Sequence, residues 1–289
     1  MKVVITGADG QVGRALLEMA PEPSRVKGLS RRDLDITDAD AVRASLERER
    51  PDWVFNAAAY TAVDRAEADA DQAHRVNAVG AALLARAATA IRCRVLQIST
   101  DFVFSGEQSR PYRPDAATGP VNVYGMSKLG GEAAVIHETA GKALIVRTSW
   151  VYATRGQNFV LRMLELMRSR QELTIVADQV GSPTWASSLA SALWGMAGKD
   201  LNGVHHWADA GVASWYDFAV AIQDEALDRK LLVRPSVLRP IRTDEYPTAA
   251  RRPAYSVLDS RSAADCVGMT PRHWRHNLGQ MLDRLAIER

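Results

Sequence analysis

The first thirteen residues constrain this chain more than any other segment. Lys2-Val-Val-Ile-Thr6 is a short, β-branched apolar run with no helical period, which predicts a buried strand. It passes directly into Gly7-Ala-Asp-Gly10-Gln-Val-Gly13, and Arg14-Ala-Leu-Leu-Glu-Met-Ala20 then reads as helix. In that context the glycines allow a tight turn, close backbone approach to a pyrophosphate, and close packing of helix on strand. The N-terminus of the helix faces the phosphate charge. The spacing is GxxGxxG rather than the GxGxxG of the ordinary dinucleotide fingerprint.

The pattern that follows is an alternation of strands and helices. Val26–Ser30 predicts a second strand, and Asp35-Ile-Thr-Asp38 caps a helix from Ala39 to about Arg50, ending before Pro51. Trp53–Asn56 is a third strand running into Ala57-Ala-Ala59, and a long helical stretch covers about Ala66 to Ile91. Arg94–Ser99 and Ala143–Arg147 are the fourth and fifth strands. Repeated βα units predict an α/β, Rossmann-type doubly wound parallel sheet, in which ligands sit at the carboxyl ends of the strands. Gly7, Ala57 to Ala59, Thr100 and Trp150 all fall just beyond strand ends and are expected to line one crevice.

Beyond about residue 150 the pattern is less regular, and Trp185, Trp207, Trp215 and Trp274 lie there with most of the prolines. The expected division is a dinucleotide-binding core over 1–150 with return segments near 172–200. A smaller C-terminal substrate-binding lobe takes 151–171 and 201–289. A chain of 289 residues accommodates both.

A net charge of +2 with scattered arginines gives no basic face for nucleic acid. No apolar stretch is long enough to span a bilayer, and the glycine turn interrupts the N-terminal apolar run too early for a signal peptide. Cys93 and Cys266 are far apart with no metal-ligand spacing, so reduced thiols in the cytoplasm are expected. His205 and His206 are adjacent on an apparent strand and point to opposite faces, and no carboxylate or histidine cluster has metal spacing. No metal is therefore expected.

In Asn122-Val-Tyr-Gly-Met-Ser-Lys128, Tyr124 and Lys128 are four residues apart and leave one face of a helix. A free phenol titrates near ~10, and a fixed ammonium beside it favours phenolate. The spacing alone equally describes a solvated surface pair. Its weight comes from the nucleotide turn that precedes it.

Taken together, the glycine spacing, the NAAA segment, a strand ending in Ser-Thr-Asp and the YxxxK pair resemble the extended short-chain dehydrogenase/reductase family. The finer words resemble its dTDP-4-dehydrorhamnose reductase branch. They are Asn56-Ala-Ala-Ala-Tyr-Thr-Ala-Val-Asp-Arg-Ala-Glu67, Ser99-Thr-Asp-Phe-Val-Phe104, Arg147-Thr-Ser-Trp-Val-Tyr152, Asp178-Gln-Val-Gly-Ser-Pro-Thr184, Tyr246-Pro-Thr and Arg252-Pro253. The likeness runs from the first strand to about Leu258.

This resemblance implies NADPH-dependent reduction of the C4 ketone of dTDP-4-dehydro-β-L-rhamnose, a step supplying nucleotide sugars to cell-surface polysaccharide. It implies that Tyr124 protonates the developing alkoxide and Thr100 hydrogen-bonds the same oxygen. Lys128 would hold the nicotinamide ribose and depress the tyrosine pKa. Gly7, Gly10, Gln11, Val12 and Gly13 match the phosphate turn, Asp35 and Ile36 an adenine-contacting pair, and Ala59, Tyr60 and Thr61 the contacts beyond the third strand. Asp101 and Trp150 match the sugar site, although a turn carboxylate and a core aromatic describe them equally well from residue type alone. Tyr246, Arg252 and Pro253 are candidates for sugar specificity.

At the end of the second strand, where NAD-preferring sites carry an acid, this chain has Ser30 followed by Arg31 and Arg32. Arginine forks suit a 2′-phosphate, so NADPH is expected over NADH, which remains possible; solvated loop charges are the other reading. Some members of the branch carry an acidic residue two places after the last loop glycine, contributing to a metal site at a dimer interface. Ala15 stands there, so metal-mediated dimerisation is not expected, and monomer or homodimer stays open. Two other functions share these residues: a reductase or epimerase for another nucleotide sugar, and a non-catalytic regulatory subunit like that of methionine adenosyltransferase.

Overall fold

A computed structural model describes residues 1–287. Six parallel strands form the main sheet, in the spatial order Gly203–His206, Leu144–Thr148, Arg94–Thr100, Trp53–Asn56, Lys2–Thr6 and Arg25–Leu29. The direction of winding reverses between Lys2–Thr6 and Trp53–Asn56, which makes that gap the switch point where a ligand crevice opens. The doubly wound parallel sheet expected from the alternating pattern is therefore the fold.

Period-two alternation decides what each face packs against. Val3, Ile5, Phe55, Leu96, Leu144 and Val146 are buried against the helices Gln11–Glu18 and Ala186–Gly198. Val4, Val54, Val95 and Ile145 point the other way, under the helices Ala39–Glu49, Ala81–Ala90 and Val123–Glu138. The Asp38 carboxylate caps the first of those three, accepting from the amides of Asp40 and Ala41. A separate apolar cluster forms the smaller lobe, where strand Glu172–Val176 pairs with Val237–Ile241 beneath the helices Phe159–Ser169, Trp215–Asp228 and Trp274–Ile287.

Two expectations differ from this structure. The main sheet reaches into the segment assigned to the lobe, because Gly203–His206 pairs with Leu144–Thr148 and helix Arg261–Val267 packs beside it. Conversely, Glu172–Val176 lies in the lobe, and only the helix Ala186–Gly198 returns to the core. The helical stretch expected over about 66–91 runs continuously over 70–90, but with a π-turn at Arg75–Gly80 inside it, and a separate short helix, Val63–Ala66, precedes it. The π-turn has a purpose. It turns buried Asn77 inward, where the side chain accepts from the Tyr60 amide and donates to the Tyr60 carbonyl and to Ser127 Oγ.

Beneath the sheet's carboxyl edge lies a buried ion pair. Arg147, on the fifth strand of the chain, donates from Nε and Nη2 to both carboxylate oxygens of Glu132 at 2.9 and 2.7 Å, with side chains only 5% and 3% exposed. Ser99 Oγ donates to the same carboxylate at 2.5 Å, and the Arg147 guanidinium lies over the Phe104 ring. His206, fully buried at the end of strand Gly203–His206, completes the set. Burial and the adjacent Arg147 charge hold its pKa down to about 3, so it is neutral, accepting from Arg147 at Nε2 and donating from Nδ1 to the Tyr112 carbonyl.

Removing one partner of such a pair strands a buried charge. Arg147→Met is expected to cost roughly 3–5 kcal/mol in urea unfolding. The double variant Glu132→Leu/Arg147→Met is expected to be less destabilised than either single one, and a double variant worse than both would contradict this account.

Candidate active site

The carboxyl ends of the central strands open into a cavity of about 500 Å³. One wall is the nucleotide turn. Gly7 adopts φ +67°, a conformation a side chain resists, and any Cβ there would lie 2.6 Å from the Ala58 nitrogen. A Cβ on Gly13 would come within 2.2 Å of the Gly7 carbonyl oxygen, so this glycine permits the close packing of helix on turn. Helix Gln11–Glu18 begins at Gly10 with no side-chain cap and no acidic residue in its first turn. Its free amides and positive dipole end therefore fit a pyrophosphate group, and Gly10, Gln11 and Val12 face the cavity.

The opposite wall carries the chemistry. Thr100 is the last residue of its strand, and its side chain caps the short 3₁₀ turn Asp101–Val103. Asn122 caps the helix bearing Tyr124 and Lys128 by accepting from the Gly125 amide. Glycine at 125 matters because a Cβ there would sit 2.2 Å from the Phe102 carbonyl oxygen. The helix thus seats directly on the strand end, and Thr100, Asp101, Tyr124, Lys128 and Trp150 all line the cavity.

The electrostatics differ from the expectation in one respect. Lys128 is 4% exposed and donates from Nζ to the Ile98 carbonyl at 2.7 Å. Burial lowers its pKa to about 8, while Glu132, one turn along the helix, pushes it back up. Burial raises the Tyr124 phenol to about 12, with the Thr100 hydroxyl drawing it down and the Asp101 charge pushing it up. The lysine was expected to depress the phenol. In this geometry its ammonium is committed to a backbone carbonyl and desolvation wins. A protonated phenol is nonetheless the form a proton donor needs.

Asp101 is 1% exposed and its pKa is raised to about 6, chiefly by burial, with the Ser256 and Thr100 hydroxyls opposing. Thr100 Oγ1 donates to its Oδ1 at 3.0 Å, but no hydrogen bond of good geometry reaches Oδ2. That oxygen is sealed from solvent behind the cavity wall, and a buried carboxylate oxygen with so little compensation favours the neutral form of the acid. Trp150 holds φ +45°, rare for an aromatic residue, and its indole stacks on Trp215 with centroids 3.5 Å apart.

Other expected residues are placed unevenly. Ala59 and Thr61 line the cavity, whereas Tyr60 does not: its phenol donates to Asp69. Ser30, Arg31, Asp35 and Ile36 lie off the cavity at the end of the second strand. Ile36 is buried in the core, and the Asp35 carboxylate accepts from the amide and hydroxyl of Thr37. Arg252 lines the cavity; Tyr246 is exposed, and Pro253 packs against Gly106. Among the described residues no three metal-binding side chains cluster.

Trp215, Gln157 and the supporting trio Ser99, Glu132 and Arg147 were not singled out from sequence. Glu132 had a signal, since it continues the Tyr124–Lys128 spacing by another four residues, and Arg147 is the one charge in its strand.

The raised Asp101 pKa carries a stability cost with a definite sign. Its folded value of about 6 lies above the unfolded value of 3.8, so the neutral form is favoured by folding and stability falls as pH rises between them. Asp101→Asn is expected to stabilise the protein by roughly 1–3 kcal/mol at pH 7. Thermal unfolding followed across pH should show that gain vanishing below pH 4. An equal gain at all pH values would point to another cause.

Comparison with known proteins agrees with this geometry. Residues 1–287 match the family described as RmlD substrate binding domain. The chain is 40% identical over 283 residues to the spore coat polysaccharide biosynthesis protein SpsK of Bacillus subtilis, covering 97% of this chain and 96% of that protein. It is 39% identical to the dTDP-4-dehydrorhamnose reductase of Aggregatibacter actinomycetemcomitans, covering 96% and 97% of the two chains. The crystal structure of dTDP-4-dehydrorhamnose reductase from Bacillus anthracis in complex with NADP superposes with a TM-score of 0.92 at 35% identity, covering 98% of this chain and 99% of that one. This chain accordingly belongs to the RmlD substrate binding domain family, that of the dTDP-4-dehydrorhamnose reductases.

Proposed function

We propose that this protein reduces the C4 ketone of dTDP-4-dehydro-β-L-rhamnose to give dTDP-L-rhamnose, with NADPH as reductant. The observation that carries the reading is convergence: Thr100, Tyr124 and Lys128 meet in one cavity whose facing wall is the uncapped glycine turn.

When bound, the nicotinamide cofactor supplies hydride. The residues of this chain do the rest. The Tyr124 phenol, kept protonated by burial, gives its proton to the oxygen that gains charge as the carbonyl is reduced. Thr100 supplies a second hydroxyl at that oxygen, and the buried Lys128 ammonium compensates the phenolate left behind. Asp101, at the cavity wall, accepts from a sugar hydroxyl, and Trp150 packs against the sugar ring. Gly10, Gln11 and Val12 hold the cofactor's pyrophosphate, and Ala59 and Thr61 flank it past the third strand.

Cofactor choice rests on the end of the second strand. An acid does reach that place, because Asp33 Oδ2 accepts from both the amide and the hydroxyl of Ser30 at 2.8 and 2.6 Å. Those bonds hold its pKa down and occupy that carboxylate oxygen, while Arg31 and Arg32 remain exposed to take a 2′-phosphate. The free thiols of Cys93 and Cys266 suit work in the cytoplasm, and no helix among the described residues is long and apolar enough to cross a membrane.

Steady-state assay with dTDP-4-dehydro-L-rhamnose tests the roles. Tyr124→Phe is expected to lower kcat by about 10²–10⁴-fold with NADPH affinity unchanged. Wild type that oxidises no NADPH with any 4-keto sugar nucleotide would make the chain a binding subunit instead. Arg31→Ala should raise KM for NADPH about tenfold and leave NADH alone, as loss of one charge-assisted phosphate contact requires. A wild-type preference for NADH would overturn the cofactor assignment.

A further inference from the structure

No residue of Asp178–Thr184 lines the catalytic cavity, yet the segment is packed against two tryptophans that do, Trp150 and Trp215. Gly181 seats Trp150, since a Cβ there would lie 2.5 Å from the indole Cε2. The Thr184 amide donates to the Trp150 carbonyl at 3.2 Å, and Ser149 Oγ donates to the Ser182 carbonyl at 2.7 Å. Val180 and Gly181 pair antiparallel with Ser214 and Ala213, which places Trp215 as the first residue of its helix.

Trp150 needs this support. A bulky residue at φ +45° persists only where its surroundings over-determine it. Its ring is held by the stack on Trp215, whose plane lies within 3° of its own, and Phe159 packs on Trp215 with centroids 4.7 Å apart. Stacking sets the spacing of two rings but resists sliding in the plane only weakly. Trp215 is kept from sliding by its indole N–H, which donates to Gln179 Oε1 at 3.1 Å.

The polarity of that bond is set further away. The Asp178 carboxylate accepts from the Thr243 hydroxyl at 2.6 Å and from the Thr243 amide at 2.9 Å. Having donated its one proton, the hydroxyl can only accept from Gln179, at 3.1 Å from Nε2. The amide therefore turns its oxygen to the indole, which is a donor only. Gln179 is 6% exposed, so an indole N–H left unmet there carries a desolvation cost.

We propose that Trp215 is the second aromatic face of the sugar subsite, and that Gln179 is a positioning residue acting on the substrate through Trp215 and the Trp150 stacked on it. Two indoles held in one plane suit the C–H face of a 6-deoxy sugar, which carries a methyl where other hexoses carry a hydroxymethyl group. The assignment rests on the nucleotide-sugar reading given above.

Calorimetric titration of dTDP-L-rhamnose and of dTDP into the full chain saturated with NADP⁺ separates sugar from nucleotide. Gln179→Met is close in size and removes the acceptor. It is expected to weaken dTDP-L-rhamnose about fivefold, as loss of one neutral hydrogen bond gives, and dTDP by less than about twofold. Trp215→Phe keeps a ring without the N–H and is expected to weaken dTDP-L-rhamnose at least as much. In that background Gln179→Met is expected to add less than about twofold, because the group it holds is gone. The exciton couplet of the stacked indoles in circular dichroism should vanish in Trp215→Phe and weaken in Gln179→Met. Thr243→Val, a surface change, frees the far end of the Gln179 amide and should show the same selective loss to a smaller degree, which keeps the test open if Gln179→Met does not fold.

Gln179→Met that binds dTDP-L-rhamnose as wild type does overturns the proposal. So does an undiminished further loss in the Trp215→Phe background, which would make Gln179 a structural tie to Thr243. Equal weakening of dTDP and dTDP-L-rhamnose overturns it as well. If wild type turns over the 4-keto sugar nucleotide while these contrary results appear, the catalytic reading stands and only this assignment falls. Wild type that gains no affinity from the rhamnose over dTDP would take the sugar reading and this assignment together.

Discussion

The site depends on one buried contact, the Glu132–Arg147 pair with Ser99 seated on it. These residues join the helix carrying Tyr124 and Lys128 to two sheet strands, and His206 adds a third. A buried ion pair is a poor way to gain stability, because desolvating both charges offsets most of their attraction. What it offers here is registration. Glu132 lies one turn past Lys128, Ser99 directly precedes Thr100, and a fork between planar groups tolerates little displacement. The same carboxylate supports the Lys128 charge, so geometry and electrostatics share one group.

Burial has two consequences above this platform. It keeps the Tyr124 phenol protonated, which suits reduction, and it raises Asp101 into the range where ionisation at neutral pH costs stability. Both come from the same desolvation, and the second is the cost of placing a carboxylate at the wall of the cavity. The strained Trp150 backbone beside them fits the same pattern of local cost at a site.

Much of this was legible in the sequence where local physics decides the outcome. The strand–glycine–helix opening, the Asp38 cap and the face shared by Tyr124 and Lys128 follow from periods and propensities, and the structure has each of them. Misreadings arose where distant contacts decide. The π-turn exists because Asn77 must reach Tyr60 and Ser127, and no periodicity encodes that. Strand Gly203–His206 is too short to signal that it belongs to the main sheet. Likewise the direction of the Tyr124 shift depends on Lys128 finding the Ile98 carbonyl, and the acid at the second strand's end arrives from Asp33, three residues beyond the expected place.

The most direct test of the account follows the hydride itself. Wild-type protein is supplied with dTDP-4-dehydro-β-L-rhamnose and NADPH deuterated at the transferable position, and the product sugar is examined by NMR. Deuterium bonded to C4 of a dTDP-rhamnose product is the expected result. Deuterium at another carbon, or unchanged ketone with cofactor bound, would contradict a site in which Tyr124 and Thr100 serve the C4 oxygen.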